Sequence, residues 1–125
     1  MRGIIVQAGS VLLLGSIASV GFAGGRYANP PVGLVEVQQS CTKALEAAQK
    51  GDTAAALESA KAARKTAVAS YKEISTMPME VGSSTTKKAI AALEANNTAE
   101  AITELQHCKE KLDSEVDYYK KEGKL

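Results

Sequence analysis

The sequence predicts an all-α fold: an up-down four-helix bundle built from two helical hairpins, preceded by an N-terminal apolar signal or anchor helix. Three observations lead there. Beyond Gly33, apolar residues recur at spacings of three and four, with no strand-like alternation. Eighteen of the 102 residues from Gly24 onward are alanine, the strongest helix former. A segment repeats at an offset of 45 residues, which sets two like hairpins in tandem.

Met1 and Arg2 open onto an apolar stretch from Ile4 to Ala23, centred on Val11-Leu12-Leu13-Leu14 and ending in Gly21-Phe22-Ala23. A short positive start, an apolar core and a small-x-small exit describe a secretory signal peptide, residues 1–23, cleaved after Ala23. Left uncleaved, residues 4–23 would form a membrane anchor, since about 20 apolar residues just span a bilayer. Gln7, Ser10, Ser16 and Ser19 dilute the stretch and favour cleavage. In both cases the rest of the chain is exported, and the periplasm is the expected compartment. Residues 24–33 hold Gly24-Gly25, Asn29-Pro30-Pro31 and Gly33 and read as a linker, because paired prolines favour extended geometry.

The bundle is expected over residues 34–122, with repeat halves at about 35–75 and 80–120. Leu34, Val37, Cys41, Ala44 and Ala48 form one stripe on a first helix. Gly51 ends it in the left-handed region and Asp52 caps the next. The second helix carries Leu57, Ala60, Ala63, Ala67, Tyr71 and Ile74 on one side and breaks at Met77-Pro78. A third helix, starting between Pro78 and Ser84, turns Ala89, Ile90, Ala92 and Leu93 inward. Asn96-Asn97 closes it, and Asn97 with Glu100 opens the fourth with a capping-box-like start. Ala101, Leu105, Cys108, Leu112, Val116 and Tyr119 then recur at three-four spacing until Gly123. At the offset of 45, six of the fifteen positions from Lys43 to Leu57 are identical to their partners, and Gly51-Asp52 falls on Asn96-Asn97.

Cys41 lies 10 residues before Gly51, and Cys108 lies 11 residues after Asn97. In an up-down bundle those two turns share one end, and the first and last helices are neighbours. At about 1.5 Å per residue both cysteines stand roughly 15 to 16 Å from that end, in register for a disulfide. A redox-active or metal-binding thiol pair is the competing reading. It lacks a Cys-x-x-Cys spacing and would lie in the core.

Composition narrows the function. The 14 basic and 14 acidic residues after Ala23 cancel, which argues against nucleic acid as a partner. One phenylalanine, four tyrosines and no tryptophan are thin material for an aromatic-lined pocket. No catalytic residues, no Cys-x-x-Cys-His and no Glu-x-x-His stand out, so neither an enzyme nor a cofactor is expected. Weak metal candidates are His107, one position off the core stripe, and the thioethers of Met77 and Met79. Glu104, Glu110, Asp113, Glu115 and Asp117, interleaved with Lys109 and Lys111, read as a solvated, ion-paired face. Lys120, Lys121 and Lys124 complement the dipole of the last helix.

The run from Ala44 to Thr53, continuing through Glu58-Ser59-Ala60-Lys61-Ala62-Ala63 and echoed by Ala92 to Thr98, resembles the periplasmic small metal-binding protein family over about Val35 to Tyr119. The resemblance implies a monomeric four-helix bundle whose many histidines bind copper, nickel and other divalent metals. Here those positions are mostly Ala, Lys or Ser, and only His107 compares with one. The expected function is therefore an exported, non-enzymatic binding or scaffold module for a protein partner, such as an accessory subunit of a membrane-bound complex. The alternative is periplasmic copper or nickel binding or buffering.

Overall fold

A computed structural model describes residues 26–125, which are all-helical with no strand among them. The signal or anchor reading of residues 1–23 lies outside the described residues. Four helices follow: α1 (Leu34–Gln49), α2 (Thr53–Glu73), α3 (Met77–Glu94) and α4 (Thr98–Lys121). Each packs against the next and α1 closes the ring against α4, while the diagonal pair α1 and α3 barely meet. No helix among the described residues is long and apolar enough to cross a membrane.

The two hairpin turns at one end share a design. The Asp52 amide donates to the Ala47 carbonyl at 2.9 Å and the Gly51 amide to Ala48 at 3.1 Å. The same six-to-one and five-to-two bonds run from Asn97 to Ala92, 2.7 Å, and from Asn96 to Leu93, 3.1 Å. Both turns need a left-handed residue, Gly51 at φ 81° and Asn96 at φ 60°. The residue that ends each motif also caps the following helix: the Ala55 amide donates to Asp52 Oδ1 and the Glu100 amide to Asn97 Oδ1. Glu100 also accepts from the side-chain amide of Asn97, Nδ2, at 3.0 Å, while the Asn97 backbone amide stays with Ala92.

Inside, the stripes of α1 and α4 are buried as the spacing predicts. The α2 face differs. Its inward residues are Ala56, Ala60, Ala63, Ala67 and Ser70, whereas Tyr71 and Ile74 are exposed and Leu57 is half-buried. The buried stripe falls on Ala56 and Ser70, one residue before Leu57 and Tyr71, and α2 stops at Glu73, so that Ile74 sits in extended backbone beyond its last turn. Helix α3 starts earlier than expected, at Met77, because Pro78 occupies the first turn, where its missing N–H costs nothing. Its inward face adds Met79, Gly82, Thr85 and Thr86, and Ile90 is only half-buried. The two threonine hydroxyls donate to the carbonyls of Val81 and Gly82, each at 2.6 Å, which satisfies them within their own helix. A methyl added at Gly82 would lie 3.2 Å from Val37 and 3.3 Å from Ala67, so three helices converge there on a residue without a side chain.

Cys41 and Cys108 are fully buried and form a disulfide with Cα atoms 6.2 Å apart, tying α1 to α4. The bond closes a sequence separation of 67 residues. On the chain-entropy account a loop of that length stabilises the fold by about 4 kcal/mol. The Cys41→Ala/Cys108→Ala variant is therefore expected to lose about that much in a guanidinium titration beside the oxidised parent. Two alkylatable thiols in the unreduced protein would overturn the bond.

Candidate functional site

The end of the bundle opposite the capped turns gathers the start of the described chain, the α2–α3 connection and the end of α4. Residues 26–33 do not hang free here. The Tyr119 hydroxyl donates to the Tyr27 carbonyl at 2.8 Å, and Arg26 reaches Glu115 through Nε and Nη2 at 3.1 to 3.3 Å. The same guanidinium stands 4.3 Å from the centre of the Tyr118 ring, in cation–π range. Gly33 then turns the segment into α1 at φ 83°, with an added methyl 2.6 Å from Thr66 of α2. Only glycine meets both conditions.

Glu115 departs from the solvated face expected for the α4 carboxylates. Its side chain is 3% exposed and lies between Arg26 and Lys111, whose Nζ is 3.4 Å away. A carboxylate taken out of water needs such partners, because the desolvation cost would otherwise dominate. The other α4 pairs match the expectation: Lys109 with Asp113 at 2.6 Å and Lys121 with Asp117 at 3.1 Å, on half-exposed or exposed side chains. Asp113 also accepts from Gln38 of α1 at 2.9 Å. Burial opposes its ionisation, but the bonds from Lys109 and Gln38 outweigh that and hold its carboxyl below the ordinary value.

A cleft of about 330 Å³ opens beside the Glu115 pair, with Tyr27, Pro31, Met77 and Pro78 on its apolar walls. A second, of about 300 Å³, runs between residues 27–32 and the end of α2. The weak metal candidates are scattered. His107 is exposed on α4, two turns from Glu115; Met77 is exposed at the cleft; Met79 is fully buried in the core. Among the described residues no group of three or more His, Cys, Asp or Glu could hold a metal ion.

Comparison with protein-family models, with curated proteins and with solved structures finds no match for this chain.

Two outcomes follow from this end. Arg26→Ala strands Glu115 with Lys111 alone and is expected to cost about 1–3 kcal/mol in urea unfolding. Arg26→Ala/Glu115→Leu should recover part of that loss, since the buried charge goes with its partner. Burial, then the nearby Glu115, raises the Tyr119 phenol above its ordinary value of 10.0. A group raised in the folded state favours folding fully below its unfolded pKa, and the benefit fades as pH climbs through the folded one. Stability should thus decline above about pH 10, and Tyr119→Phe should flatten that decline in urea midpoints taken across the alkaline range.

Proposed function

We propose that this chain is an exported, non-enzymatic helical bundle that binds or scaffolds a protein partner in the periplasm, as an accessory subunit of a membrane-bound complex. One observation carries the reading. The large apolar side chains exposed among the described residues are Tyr27, Val32, Tyr71, Ile74, Met77 and Leu125, and all of them lie toward the end where residues 26–33 dock. The end with the capped turns exposes none. Single exposed apolar residues are ordinary on a protein surface, but their gathering at one end supports reading it as a contact surface. That end is also where the chain arrives from residues 4–23, so a retained leader would present it toward the membrane-embedded part of such a complex. The disulfide suits an oxidising compartment. The divalent-metal role implied by the family resemblance has no comparable support among the described residues.

Site-specific photo-crosslinking in the producing cells tests this. A benzophenone side chain at Ile74 or Met77 is expected to give an adduct with one defined membrane-fraction protein, and the same group at Gln49 or Asn96 none. Equal labelling from both ends, or no adduct from Ile74 and Met77, would overturn the proposal.

A further inference from the structure

The outer faces of α2 and α3 meet in a groove of about 480 Å³ whose charge is one-sided. Along α2, Lys61, Arg64, Lys65 and Lys72 line it, and the segment from Lys61 to Lys72 contains no acidic residue. From α3 the groove is lined by Ile90, which adds no acid. Compensation inside the chain is slight. Among the described residues the one ion pair here is Lys61 with Glu94, at 3.9 Å and with both side chains more than half exposed. The Arg64 Nε is buried and has no hydrogen-bond partner, so a strong donor is left without an acceptor at the groove wall.

The floor is apolar. Val68 and Ile90 are half-buried below exposed lysines at the rims, with the exposed Ala69 at their edge. This is the inverse of a membrane-binding face, where apolar side chains protrude and cations stand back. Recessed apolar positions flanked by charges at helical spacing suit an amphipathic helix laid into a groove. Lys61 to Lys72 spans about 16 Å, or three helical turns. The groove also runs toward the apolar end, since Lys72 adjoins Tyr71 and lies two residues from Ile74.

We propose that the α2–α3 groove receives an acidic amphipathic helix of the protein partner, with carboxylates on Lys61, Arg64, Lys65 and Lys72 and apolar residues over Val68 and Ile90. This rests on the partner-binding reading above and names the chemistry of the partner. Arg64 is the anchor, because a planar guanidinium pairs bidentately with a carboxylate and its desolvated Nε gains the acceptor it lacks.

The test uses fluorescence anisotropy with the intact oxidised chain and a labelled, stapled helical peptide of about 14 residues, with glutamates flanking a leucine stripe. The control peptide carries lysine for each glutamate. The glutamate peptide should bind saturably and weaken at least about tenfold in Lys65→Glu/Lys72→Glu or when salt rises to about half molar. Both lysines are exposed, so the reversal should leave the thermal midpoint near that of the parent. Ala69→Glu, which sets a carboxylate at the edge of the groove without removing a cation, is a second variant that should also block binding. Equal binding of the two peptides, or none, overturns the proposal. Peptide silence together with charge-dependent sedimentation on phosphatidylglycerol vesicles would overturn it in favour of a lipid surface. If the Ile74 and Met77 adducts form while the peptide fails, the groove assignment falls and the partner-binding reading stands.

Discussion

The spacing of the bundle depends on the alanines that α2 turns inward. Ala56, Ala60, Ala63 and Ala67 are all fully buried, and with Ser70 they are the whole of that helix's inner face. Side chains this short let neighbouring backbones come close, which is why α3 needs Gly82 where it passes Ala67. The bulk of the core must then come from the other three helices, from Leu34, Val37 and Leu45 of α1, Met79 and Leu93 of α3, and Leu105, Leu112, Val116 and Tyr119 of α4. Burying a methyl contributes about 0.8 kcal/mol against roughly 1.5–3 for a leucine-sized side chain. Cohesion is accordingly uneven: α2 contributes the smallest apolar side chains, while the α1–α4 side holds the disulfide and the docked residues 26–33.

The parts that were legible in the sequence are those whose signal is local. The paired turns at Gly51-Asp52 and Asn96-Asn97 follow from one left-handed position and one capping side chain each, both readable over six residues. The α1 and α4 stripes were readable because Leu, Val and Cys stand out from their neighbours. An alanine stripe on α2 has no such contrast, since alanine also fills the outer face, and the apolarity of Tyr71 and Ile74 places them on the stripe by spacing alone. On α3 the inward Thr85 and Thr86 look polar in the sequence, and only their bonds to Val81 and Gly82 free them for the core.

The docked end was hidden for a different reason. Arg26 and Glu115 are 89 residues apart, and no periodicity links a residue in a proline-rich linker to one on the last helix. A clue did exist. Glu115 lies three residues after Leu112 and four before Tyr119, on the inward stripe itself, and a carboxylate there requires a cation from elsewhere. What the sequence could not supply was which cation. The α2–α3 groove was likewise out of reach, because Ile90 comes beside Lys65 and Val68 only once the hairpin has closed.

The bridge between Cys41 and Cys108 also determines how the molecule carries tension. A pull applied between the two ends of the described chain passes along residues 26–41, across the sulfur atoms and out through residues 108–125. The enclosed residues 42–107 hold all of α2 and α3 and the cationic groove, and they lie off that load path. Tethered at one end and dragged at the other, the bundle would strain at its docked segment and its last helix first. The α2–α3 hairpin would keep its shape until the bridge was reduced.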